Sequence, residues 1–174
     1  TFDKLTAGKY TVQARDGKGC KAENKELELH EPDLLKITGI TLQNVNCHGE
    51  KSGSVTLTAT GGIDGYSYGY SRNHERTFRY VITPTIENLG AETYDFSVKD
   101  ANGCLAYKND ITIYEPDELE FMTINTYPVT GCHGDENGSI ILGAKGGVTP
   151  YRYSIDGGET YQKEFTFTGL PGGN

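Results

Sequence analysis

The sequence predicts an all-β protein: tandem immunoglobulin-like β-sandwich repeats of about 84 residues per unit. Three observations lead there. Gly supplies 23 of the 174 residues and Tyr 12, with 6 Phe and no Trp, a composition suited to short strands and tight turns. Apolar and polar residues alternate with period two in several segments, the mark of antiparallel strands with one buried face. The chain also repeats itself at a fixed interval.

The repeat sets the frame for everything else. Leu5, Tyr10, Val12, Asp16 and Cys20 align with Leu89, Tyr94, Phe96, Asp100 and Cys104, each 84 positions later. "LHEPDLLKI" (29–37) pairs with "IYEPDELEF" (113–121) at the same spacing, and "CHGEKSGSVTLTATGG" (47–62) with "CHGDENGSIILGAKGG" (132–147) at 85. "YSYGYS" (66–71) matches "YRYSID" (151–156), and "TFTGLPGG" (166–173) returns to "TFDKLTAG" (1–8). A solenoid repeat runs about 20–50 residues; this one has the size of a small sandwich domain. The expected organisation is the C-terminal half of a unit at 1–32, a complete unit at 33–116 and the N-terminal part of the next at 117–174. Beginning without Met, the chain reads as a piece of something longer.

Seven strands are expected in the complete unit, at about 35–46, 53–60, 66–71, 77–82, 85–88, 93–99 and 105–114. In 53–60, Val55, Leu57 and Ala59 share one face and Thr56, Thr58 and Thr60 the other. Tyr66, Tyr68 and Tyr70 form a stripe expected to be core. In 93–99, Tyr94, Phe96 and Val98 alternate with Asp95, Ser97 and Lys99, so the second set is expected on a polar outer face. No segment shows a helical period. "EPD" at 31–33 and 115–117 marks the boundaries, because Pro cannot donate to a ladder. "RDGKGC" (15–20) and "KDANGC" (99–104) are hairpin turns, with Asp16 and Asp100 expected to hydrogen-bond their own turn. Calcium ligation is the minor alternative for these two.

The formal net charge of −8 argues against nucleic acid, whose phosphates need a basic face, and against an anionic membrane surface. No run of about 18 apolar residues exists to span a bilayer, and no signal peptide is visible.

Four cysteines, Cys20, Cys47, Cys104 and Cys132, recur at two places in the unit, which points to an oxidising, extracytoplasmic setting. In an immunoglobulin-like sandwich those two places lie at opposite ends. The expectation is therefore pairing between consecutive units, the "CHG" cysteine of one with the "NGC"-type cysteine of the next, and no pairing among these four. "CHG" offers one Cys-His pair per unit, too few ligands for zinc, so His48 and His133 are expected as exposed loop residues. No metal is expected; Asp135, Glu136 and Asn137 are the weak calcium candidates, since calcium wants several oxygens. No nucleophile elbow, phosphate loop or His-Glu helix motif occurs, and the acidic loop changes freely between its copies, so no catalytic residue is assigned. Tyr is apolar in body and polar at its tip; Tyr80, Tyr107, Tyr151 and Tyr161 are the candidates for contact with a polysaccharide or solid surface.

"CHGDENGSIILGAKGGVTPYRYSIDGGETY" with "FTGLPGG", and "CHGEKSGSVTLTATGG" with "YSYGYS", "NLGAETYDFSVKDANGC" and "YEPDEL", resemble the SprB repeat. That family builds long arrays in giant surface adhesins of gliding Bacteroidota. Gly65 stands where the family usually has Pro, and "SRNHERTFRY" replaces the "IDGGETY" hairpin. The resemblance implies a filament on the cell surface, exported by type IX secretion, attached to the outer membrane with its motility machinery, and used in gliding and attachment. Its partners would be neighbouring repeats and the substratum. It offers no catalytic motif and no cofactor. The alternative is a carbohydrate-binding or spacer module of a large secreted enzyme.

Overall fold

The computed structural model describes residues 2–172. The matches that involve Thr1 and Gly173 therefore lie outside the described residues. Twelve strands and no helix make up the described chain, in four antiparallel sheets. Residues 8–29 form a hairpin of β1 (Gly8–Val12) and β2 (Lys25–Leu29). Residues 36–112 hold β3 (Lys36–Gln43), β4 (Gly53–Thr60), β5 (Ser67–Arg72), β6 (Arg79–Val81), β7 (Thr85–Leu89), β8 (Thr93–Lys99) and β9 (Leu105–Thr112). Residues 120–170 form a sheet of β10 (Glu120–Tyr127), β11 (Gly138–Lys145) and β12 (Thr166–Leu170).

The seven central strands make two sheets, ordered β3-β4-β7 and β6-β5-β8-β9. One core joins them: Leu35, Val45, Val55, Leu57, Ile86 and Leu89 meet Tyr94, Phe96, Val98 and Ile113. This is a β-sandwich, with Tyr66, Tyr68 and Tyr70 half-buried against its core. Constant-type immunoglobulin sheets place the fourth strand beside the fifth, in the sheet of the first two; here β6 joins β5 in the other sheet instead. Tyr94, near the start of the penultimate strand, donates its hydroxyl to Gly90 O at 3.1 Å, the corner contact seen in such sandwiches. The ends of β3 and β9 meet where Val45 N donates to Tyr114 O (2.9 Å) and Tyr114 N to Asn44 Oδ1 (3.0 Å).

The repeat extends to irregularities. The β3–β4 register slips between Ile37 and Gly39, and β10–β11 slips between Phe121 and Thr123, 84 positions on. The Gly-Gly pairs serve the same turn: Gly61 and Gly146 have φ of 77° and 73°, a region that favours glycine. Each carbonyl accepts a tyrosine hydroxyl at 2.6 Å, from Tyr66 and Tyr151 respectively.

One expectation needs correction. The outer face of β8 is not exposed: Asp95 and Ser97 are buried and Lys99 is half-buried. β8 lies between β5 and β9, and side chains from the β5–β6 region fold back across it. Around 151–156, moreover, only an isolated Tyr153–Gln162 bridge forms, although β5 is the counterpart. In the complete unit β5 pairs with β8; residues 120–170 supply no such partner strand.

Candidate functional site on the outer face of the four-stranded sheet

Two of the four candidate tyrosines converge. Tyr80 on β6 and Tyr107 on β9 flank Phe78, with ring centroids 6.3 and 5.8 Å from it. Tyr80 lies across the sheet because Gly69, beneath it on β5, has no side chain: a Cβ there would come within 2.7 Å of both the Tyr80 ring and Ser97 Oγ. Ser97 donates to the Tyr80 hydroxyl at 2.9 Å, and Lys99 Nζ sits 4.7 Å from the Tyr80 ring centre, within cation–π range. Tyr80 and Tyr107 both remain exposed. The result is an aromatic patch with fixed orientation and one cation. Rings held this way stack on apolar faces and hydrogen-bond at their tips.

Tyr151 and Tyr161 stand elsewhere. They line a groove of about 400 Å³ with Leu119, Phe121, Val148 and Tyr153. At 84 or 85 positions earlier, Leu35, Ile37, Tyr66 and Tyr68 belong to or pack on the central core. The groove is thus the inner face of a unit, and Tyr151 carries the same structural hydrogen bond as Tyr66.

The acidic loop works as loop closure. Asn137 accepts from Thr130 N (2.9 Å) and donates to Thr130 O (2.6 Å), while Asp135 Oδ2 accepts from Cys132 N at 2.8 Å. In the other copy Ser52 Oγ takes the N–H of Asn46 at 2.8 Å, doing the job of Asn137 with a different side chain. Glu136 is exposed.

Both Asp-x-x-Gly-Cys turns have the same geometry. Asp16 Oδ1 accepts from Lys18 N and Cys20 N at 2.9 and 2.8 Å; Asp100 Oδ1 accepts from Asn102 N and Cys104 N at 2.9 and 2.8 Å. Asp100 Oδ2 also takes Ile63 N at 3.0 Å. The Ile63 bond foremost, with those from Cys104 and Asn102, holds the Asp100 carboxyl below its ordinary range. For Asp16 the Cys20 and Lys18 bonds do the same.

All four cysteines are free and exposed. Cys104 shares a pole with the N-terminal boundary, where Gly62 N donates to Asp33 O (2.6 Å) and Ala101 N to Ile63 O (3.3 Å). Cys47 is at the other pole. There Gly49 N donates to Glu115 Oε2 (2.7 Å), and His48 Nδ1 lies 3.3 Å from both Glu115 Oε1 and Pro116 O. His48 thus belongs to a clasp on the boundary "EP", a role that sequence reading missed. The recurrence of "CHG" with "EP" was its signal.

No curated protein matches the chain. Residues 39–72 and 123–160 match the family model described as the SprB repeat. The two matched segments start 84 positions apart and cover most of β3 to β5 and the equivalent stretch from β10 onward. Two segments of the chain thus match the SprB repeat in tandem, and that repeat is a structural family associated with cell-surface adhesins.

Proposed function

We propose that this chain is a structural and adhesive segment of a long, filamentous bacterial surface adhesin used in gliding motility and attachment. The observation that carries the reading is the SprB-repeat match at two equivalent segments. The sandwich of residues 33–116 supports it: a small unit with its own core suits an array in which each bead folds by itself. The Phe78, Tyr80 and Tyr107 patch is the contact surface, facing polysaccharide or a solid substratum. Neighbouring repeats and the outer-membrane secretion and motility machinery are the other partners.

The test is binding of the purified chain to a polysaccharide panel and to bare glass. Saturable binding that Tyr107→Ala weakens, with the melting temperature unchanged, identifies the patch as adhesive. Equal binding by the wild type and the variant removes the patch from the reading. No binding to any surface leaves the repeats as a stalk.

A further inference from the structure

We propose that His74, Asp95 and Asp110 form a binding site for a divalent transition-metal ion, with Zn²⁺ the best fit. His74 lies in the β5–β6 loop, where Asn73 N donates to Thr93 O at 2.9 Å. Its Nδ1 is 2.9 Å from Asp95 Oδ2 and its Nε2 is 3.5 Å from Asp110 Oδ1. Asp110 sits in the register shift of β9 opposite Asp95, and its N–H donates to Asp95 Oδ1 at 3.0 Å. One donor atom from each of the three lies within 4.8 Å of the others.

A neutral imidazole has a single N–H. The His74 ring sets one nitrogen toward each carboxylate, so one can donate while the other turns its lone pair to an ion shared with the facing carboxylate. Asp95 is buried, whereas the His74 and Asp110 side chains are 60 % and 76 % exposed. The cluster therefore has a fixed floor and a solvent-facing mouth through which an ion enters and keeps water.

Ser71 is an independent pointer. It stands directly across the ladder from Asp95, so both side chains leave the same face of the sheet. Ser71 is 2 % exposed, and its Oγ has no hydrogen-bond partner. Buried hydroxyls are normally partnered; an ion beside Asp95, or a water on that ion, supplies the missing partner.

The donor set selects the ion. Imidazole with carboxylates suits Zn²⁺ and its first-row neighbours, while Ca²⁺ takes 6–8 oxygens, more than these side chains offer. Among the described residues the three donors come together only in the unit at 33–116. The positions of Asp95 and Asp110 hold Thr11 and Glu26 in the first hairpin. It stands independently of the adhesive reading, although Ser97 links the same face to Tyr80.

The test is calorimetric titration of the 174-residue chain with Zn²⁺, its four cysteines changed to Ser so that thiols do not compete. The expected result is a single Zn²⁺ per chain, with a raised melting temperature. His74→Gln and Asp110→Asn each weaken binding about tenfold or more, and Ca²⁺ has no effect at the same concentration. Because His74 is exposed, an unchanged backbone NMR spectrum of His74→Gln separates loss of the ion from loss of the fold. Equal affinity in the wild type and His74→Gln, or no binding at millimolar Zn²⁺, overturns the site and leaves an ion pair.

Discussion

Asp100 devotes both carboxylate oxygens to backbone N–H groups, in its own turn and on the neighbouring loop at Ile63. The charge strengthens those bonds, so the folded carboxyl ionises below the ordinary 3.8. Its stabilisation is complete above the unfolded value, and is lost as pH falls through the lower folded value. In acid unfolding followed by circular dichroism, Asp100→Asn is expected to melt several degrees lower at pH 7. It is also expected to lose less stability than wild type when pH drops below about 4. Parallel pH profiles for the two proteins would count against this assignment. Tyr94 offers a second residue-level test. Its hydroxyl is buried and bound to Gly90 O, and burial raises its pKa above 10.0. Tyr94→Phe is expected to cost about 1 kcal/mol in urea unfolding, the worth of one such bond. Tyr94→Ala should cost about 3–5 kcal/mol, as other large aromatic deletions do.

The elements differ in how much they bury. Every residue of β8 is buried or half-buried, whereas β1 and β2 are exposed apart from Tyr10. A lone two-stranded hairpin is marginal in water, and protection from exchange follows burial. Hydrogen exchange is therefore expected to protect the amides of β4, β5 and β8 longest and to release those of β1–β2 first. Comparable protection in β1–β2 and β8 would mean that the hairpin is packed on something. The strands themselves were legible in the sequence, because Val55, Leu57, Tyr94, Phe96 and Val98 alternate cleanly. The outer face of β8 was not. Alternation says which residues share a side, yet nothing in "YDFSVK" announces that Tyr80 and His74 will lie over Ser97 and Asp95. That depends on Gly69 being bare and on a loop turning back. The His48–Glu115 clasp left only the recurrence of "CHG" with "EP" as a signal, since its partners lie far apart in the chain and meet at a pole of the folded unit.

At the scale of the whole molecule, the poles decide the fate of the cysteines. Cys47 stands with Glu115 and Pro116 at the C-terminal pole, and the Cys104 turn stands with Asp33 at the N-terminal pole. The eight residues of β4 alone span about 27 Å. A disulfide needs Cα atoms within about 7 Å, so Cys47 and Cys104 cannot bridge inside one unit. If successive units stack pole to pole, the C-terminal pole of one faces the N-terminal pole of the next and brings a "CHG" cysteine toward an "NGC"-type cysteine. In an array of three or more complete units made under oxidising conditions, non-reducing peptide mapping is expected to find that cross-unit pair. Single-molecule pulling should then show a shorter extension per unit than in the reduced array, because each bridge shields the chain between its two cysteines from force. A peptide joining Cys47 to Cys104 would refute the polar arrangement itself. Free thiols throughout would leave the fold intact and remove the cross-unit bridge from the array.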